Sequence, residues 1–107
     1  MNILFICSRN KWRSRTAETI FKYNQLHNVK SAGTENDARI KVTEKLLLWA
    51  NVIFVMEKKH RTRIKEKFNS ACENKEIIIL EIEDNYQYMD EELIEILKSS
   101  VAGYIEI

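Results

Sequence analysis

Three short runs of almost uninterrupted apolar residues, Asn2–Cys7 (NILFIC), Asn51–Met56 (NVIFVM) and Glu76–Ile82 (EIIILEI), constrain this chain most. They are too short for core helices and do not alternate apolar with polar, so each reads as a strand covered on both faces. A weaker fourth candidate, Asn28–Ala32, ends at Gly33. Helical patterns fill the gaps. From Ser14 to about Leu26, Ala17, Ile20 and Phe21 recur at helical spacing, with Glu18 near the helix start. Thr43–Ala50 reads as a helix opened by an N-cap threonine, Glu57–Phe68 as a charged surface helix, and Asp90–Ile105 as a helix with Leu93, Leu97, Val101 and Tyr104 along one stripe. Strands alternating with helices make an α/β fold: a parallel sheet, helices on both faces, right-handed crossovers.

With 107 residues, no proline, no Gly/Ser linker and no repeat, residues 1–107 are expected to form a single domain. No apolar run approaches the roughly 20 residues of a membrane span, and MNILFIC lacks the marks of a signal peptide, so a cytoplasmic protein without membrane contact is expected. In that compartment Cys7 and Cys72 stay as free thiols. Cys72, His27 and His60 have no metal-ligand spacing, Trp49 reads as core, and the run Lys58 to Arg63 as a solvated helix face. Charge is unevenly placed. Residues 1–67 carry 15 Lys/Arg against 6 Asp/Glu, and 68–107 carry 2 against 10, so the first two-thirds should attract anions.

The segment Cys7-Ser8-Arg9-Asn10-Lys11-Trp12-Arg13-Ser14 joins the first strand to a helix start. Ligands of open parallel sheets sit beyond the carboxyl ends of strands, and the free amides of a helix N-terminus favour an anion. Phosphate fits there. The dipole and Arg13 stabilise a thiolate at Cys7 and make it a nucleophile. Arg13 can hold two phosphate oxygens through its planar fork, and Ser14 can donate a hydrogen bond to the sulfur. The pattern supports in-line attack of Cys7 on phosphorus, with Ser8, Arg9, Asn10, Lys11, Trp12, Arg13 and Ser14 as the phosphate-binding loop. Trp12 is either a pocket wall or packed on the sheet edge.

These residues resemble the low-molecular-weight protein tyrosine phosphatase family, whose loop is Cys-x5-Arg-Ser after the first strand. Asn10 matches the loop asparagine, Thr16-Ala17-Glu18 the start of the following helix, Ser31-Ala32-Gly33-Thr34 the motif after strand two, and Ala50 to Met56 the strand-three segment. By this resemblance the chain is a short member with reduced substrate-side loops. It implies a three-layer sandwich around a four-stranded parallel sheet, a phosphocysteine mechanism with no metal or other cofactor, and a phosphorylated substrate, phosphotyrosine first. Two positions depart from the pattern: Arg9 stands where glycine is usual and Arg15 where proline is usual. Arg9 brings a bulky cation beside the phosphate site and implies altered loop geometry or a different substrate.

A phosphocysteine route needs a proton donor for the leaving oxygen and later a base for water. The resemblance implies an aspartate after strand four, usually followed by proline. The matching stretch is Glu83-Asp84-Asn85-Tyr86-Gln87-Tyr88, which makes Asp84 the catalytic acid beside Cys7 and Arg13, with Asn85 in the proline position. Tyr86 and Tyr88 resemble aromatic residues that stack on an aryl leaving group and, with Trp12, form the substrate wall. Glu83 and Asp90 are the alternatives for the acid, Asp90 also suiting an N-cap. Besides the hydrolase, three readings stay open. Arg9, Lys11 and Arg15 crowding the site suit a nucleotide or RNA phosphate, so nucleic acid is a possible partner. Arsenate reduction has only Cys72 to draw on. A noncatalytic phosphate-binding module would account for Arg9 and the absent proline. A monomer or weak dimer is expected.

Overall fold

The computed structural model describes residues 1–106. In chain order the elements are β1 (Asn2–Cys7), α1 (Arg13–Phe21), β2 (Asn28–Gly33), α2 (Glu44–Trp49), β3 (Val52–Val55), α3 (Lys58–Lys67), α4 (Asn69–Cys72), β4 (Glu76–Ile79) and α5 (Glu91–Ala102). The strands form one parallel sheet in the order β2-β1-β3-β4. Strand β1 is central, and the chain leaves it first toward β2 and later toward β3. The carboxyl end of β1 is therefore the switch point at which open parallel sheets bind ligands.

The strand period sorts side chains into two layers. Ile3, Phe5 and Cys7 of β1 face one side with Phe54 of β3, Phe21 of α1 and Leu93, Leu97 and Val101 of α5. Leu4 and Ile6 face the other with Ile53 and Val55, Leu47 of α2, Ile64 of α3 and Cys72 of α4. Phe5 stacks between Phe21 and Phe54, its ring centre 5.7 and 5.3 Å from theirs. The three-layer α/β sandwich read from the apolar runs is the fold. Among the described residues no helix is long and apolar enough to cross a membrane.

Boundaries depart from expectation where polar groups intervene. Helix α1 stops at Phe21 instead of running to Leu26, because the Asn24 carboxamide accepts from the Leu26 amide and competes with the helical pattern. The fourth strand stops at Ile79 instead of Ile82. Glu81 takes a left-handed conformation (φ 58°) that breaks the ladder, although the amides of Leu80 and Ile82 still bond β3 and the residue after it. Helix α5 ends at Ala102, with Tyr104 of the expected stripe left 57% exposed. The one-turn α4 was not expected, and it buries Cys72, whose thiol is pushed up by that burial. Trp49 is only partly buried, under the Lys30 ammonium 4.5 Å from its ring centre.

Candidate active site

Backbone pairing shapes the loop between β1 and α1. The carbonyls of Cys7, Ser8 and Arg9 accept from the amides of Thr34, Glu35 and Arg39 at 2.9–3.0 Å, and that of Asn10 from Arg39 Nε at 3.0 Å. Four successive carbonyls are thus held against the loop that follows β2. Their amides are left to turn inward: the Asn10 N–H donates to Cys7 Sγ at 3.2 Å, and those of Ser8, Arg9, Lys11, Trp12 and Arg13 have no protein acceptor among the described residues. No side chain caps α1 either, so its positive end faces the same space.

Gly33 makes this seating possible. A Cβ there would lie 2.6 Å from the Ser8 carbonyl oxygen and 2.8 Å from Ala38 Cβ. Asn10 closes the loop from the other side. It is fully buried, has φ 57°, and its Nδ2 donates to Ser14 Oγ at 2.7 Å and Ser31 Oγ at 2.8 Å. Ser14 Oγ lies 3.0 Å from Cys7 Sγ. That hydroxyl accepts from Asn10, and its one proton has two acceptors in reach, Cys7 Sγ at 3.0 Å and the Ala32 carbonyl at 3.3 Å.

Arg13 is 1% exposed, and its guanidinium is held from two sides. Nη1 donates to Glu57 Oε2 at 2.6 Å and to the Ile82 carbonyl at 2.7 Å. The kink at Glu81 is what brings that carbonyl round. Nε lies 3.5 Å from Asp84 Oδ1, so the edge of the fork that Glu57 and Ile82 leave faces the Asp84 carboxylate. Partial burial pushes the Glu57 carboxyl up, but the Arg13 hydrogen bond and charge, helped by Lys59, bring it below its ordinary value.

Behind Glu57 lies His60, fully buried. Its Nδ1 accepts from the Glu57 amide at 3.0 Å, which puts the ring proton on Nε2, 2.9 Å from Ser8 Oγ. Burial, reinforced by the Arg13 charge, lowers its pKa to about 4. A neutral imidazole therefore braces the loop by donating to Ser8.

Together these side chains border a pocket of about 310 Å³ lined by Cys7, Ser8, Arg9, Lys11, Trp12, Arg13, Glu35, Lys59 and Asp84. Of the three candidate acids, only Asp84 lines it. Asp90 caps α5, its Oδ1 accepting from the Glu92 amide at 2.9 Å, and Glu83 accepts from Asn85 and borders a different cavity. Trp12, 43% exposed, is a wall.

Several expected site residues stand elsewhere. Tyr86 packs against the core layer of α1 and α5, and Tyr88 lies on α1, with its hydroxyl 2.8 Å from Thr19 Oγ1 and Arg15 4.4 Å from its ring centre. Neither tyrosine lines the pocket, and Arg15 is drawn away from it by that ring. Asn10 and Ser14 are behind the loop, positioning it. Sequence reasoning missed Glu35, Glu57, Lys59 and His60. The signal was available: Glu57 follows β3 and Glu35 follows β2, so both leave the sheet at the end that Cys7 marks. Among the described residues no group of His, Cys, Asp or Glu is arranged to hold a metal ion.

Neither a scan against protein-family models nor a search of curated proteins finds a match to the sequence. Solved structures do match. The tyrosine phosphatase Wzb from Escherichia coli K30, in complex with phosphate, aligns over 96% of this chain and 94% of its own at TM-score 0.76 and 21% identity. The low molecular weight protein tyrosine phosphatase SP-PTP from Streptococcus pyogenes aligns over 98% and 93% at TM-score 0.76 and 13% identity. A Cys→Ser mutant of the YwlE arginine phosphatase, with a phosphorylated active site serine, aligns over 96% and 94% at TM-score 0.73 and 20% identity. The chain has the fold of the low-molecular-weight tyrosine phosphatases.

Proposed function

We propose that the chain hydrolyses phosphomonoesters through a covalent phosphocysteine at Cys7. One observation carries the reading: Cys7, Arg13 and Asp84 border one pocket at the end of β1, in a loop whose carbonyls from Cys7 to Asn10 are all bonded to the segment after β2. The Cys7 thiolate attacks phosphorus and the ester P–O bond breaks, with Asp84 protonating the departing oxygen. Water then attacks the phosphocysteine, Asp84 takes its proton, and inorganic phosphate leaves as the thiolate re-forms with the Ser14 hydroxyl on it. Arg13 and the loop amides hold the three equatorial oxygens. The structural neighbour with a phosphorylated serine in place of cysteine supports a covalent route by analogy.

Phosphotyrosine is the substrate that the resemblance favours, and two of the matched structures are tyrosine phosphatases. A second reading, a nucleotide or RNA phosphate, gains from this pocket's own walls. Arg9, Lys11, Arg13 and Lys59 face Glu35 and Asp84, and Trp12 is the one aromatic wall. Such a wall suits a substrate with more negative charge than a single phenyl phosphate. Arsenate reduction would need a second thiol near Cys7, and Cys72 lies in the opposite core layer.

Comparing turnover of phosphotyrosine peptides, nucleoside monophosphates and RNA bearing terminal phosphates, with the Cys7→Ser protein as blank, tests both readings. Hydrolysis lost in Cys7→Ser is expected. Equal turnover by the two proteins, or tight phosphate binding with no turnover of any ester, would overturn the hydrolase.

A further inference from the structure

The segment after β2 has a cavity on each side. Glu35 lines the pocket around Cys7, whereas Gly33, Thr34 and Asn36 line a separate cavity of about 270 Å³ against α3. The second cavity is cationic: Lys41, Arg63 and Lys67 stand around it with Glu66 the only acid lining it. Arg63 gives Nη1 to Glu35 at 3.1 Å and keeps its other donors. Lys67 lies over the Phe68 ring, 5.5 Å from its centre, and Lys41 has no ion pair or hydrogen-bonded acceptor among the described residues. Thr34 borders it too, although its Oγ1 is closed to solvent and has no hydrogen-bond partner among the described residues. Val42, Ile64 and Phe68 give the cavity an apolar floor.

Like charges gathered around a concavity repel one another, and here Glu66 and the Glu35 paired to Arg63 offset only part of the charge. A bound anion offsets the rest. A phosphate group carries up to two negative charges and enough acceptor oxygens for two ammonium groups and a guanidinium at once. We infer that the cavity bordered by Thr34, Lys41, Arg63 and Lys67 is a second phosphate-binding site, separate from the loop at Cys7. Its ligand is inorganic phosphate or the phosphate of a small ester whose carbon part rests on Val42 and Phe68. None of Thr34, Lys41, Arg63 and Lys67 lines the Cys7 pocket, so the inference stands apart from the proposed reaction.

Amide NMR of the whole chain, titrated with inorganic phosphate at ionic strength held constant with sodium chloride, tests this. Two groups of signals are expected to move on separate curves: Ser8 to Arg13, and a second group with Thr34, Lys41 and Phe68. In the Lys41→Ala/Lys67→Ala protein the second curve should need about tenfold more phosphate or more, and the first should still appear. If that protein does not fold, Lys67→Gln, at an exposed helix position, should weaken the second curve alone. A silent second group, a second group that persists unchanged in the variant, or shifts reproduced by chloride would overturn the site. A silent loop with a responsive second group would instead count against the phosphatase reading. Repeating the titration on Cys7→Ser protein with O-phosphoserine separates the two sources. A midpoint about tenfold below that of phosphate assigns an ester, and equal midpoints assign free phosphate.

Discussion

Arg13 Nη1 and Glu57 Oε2 meet at 2.6 Å across 44 residues of sequence, and through that contact β3 aims a side chain that belongs to the start of α1. Removing one partner of a buried charge pair leaves the other unpaired. Glu57→Gln is therefore expected to cost about 2 kcal/mol of stability by urea unfolding. It should also lower kcat for an aryl phosphate by about tenfold or more, since the fork loses its anchor. Wild-type values for both would show that the Ile82 carbonyl alone fixes Arg13.

His60 gives the protein an acid sensitivity. Its folded pKa, about 4, lies below the ordinary 6.5, so between these values the unfolded chain binds a proton that the folded one does not. Stability from this residue is complete above about pH 6.5 and falls as pH drops toward 4, by on the order of 3 kcal/mol in all. Glu57, lowered from 4.5, adds a loss of the same sign that sets in near pH 4.5 and continues below it. Unfolding free energies from pH 4 to 7 should slope upward in wild type and flatten in His60→Gln. Parallel profiles for the two proteins would contradict this role.

Gly33→Ala pushes a methyl into the Ser8 carbonyl, at 2.6 Å before relaxation. The clash is with backbone, so the loop after β2 must move away and release the carbonyls of Cys7 to Asn10. A loss of about 1–3 kcal/mol and a larger proportional loss of phosphate affinity are expected, read by thermal unfolding and phosphate titration. Unaltered affinity in a destabilised variant would mean that the loop holds its shape without that seating.

Asp84 and Asp90 should separate cleanly. Asp84→Asn is expected to slow hydrolysis of an alkyl phosphate by about a hundredfold, and less for p-nitrophenyl phosphate, whose leaving group needs no proton. Asp90→Ala removes the α5 cap and should cost about 1 kcal/mol of stability with turnover preserved. The reverse pattern would move the acid role to Asp90.

Much of this architecture was legible from the apolar runs, since unbroken Val/Ile/Leu/Phe stretches have few places to go except a sheet covered on both faces. The Cys7 to Arg13 loop was legible for the same reason, as the junction between such a run and a helix. What escaped was set by tertiary contacts that leave no periodic trace. Glu57 and His60 sit in a basic segment that looks solvated, and only the parallel topology brings them under the loop. Tyr86 and Tyr88 kept the position expected in sequence, yet the core and Arg15 claimed their rings.

The outward carbonyls of residues 7 to 10 are held by backbone amides and one arginine, and by no side chain of the loop's own outer positions. Beyond an exposed ion pair from Arg9 to Asp37 at 3.6 Å, the side chains of Arg9, Lys11 and Trp12 take no part in holding the cradle, so they can be exchanged. On the proposed reaction, recognition and chemistry are then separable parts of one eight-residue stretch: a library randomised at these three positions is expected to retune which phosphoester is admitted and to leave the backbone cradle in place.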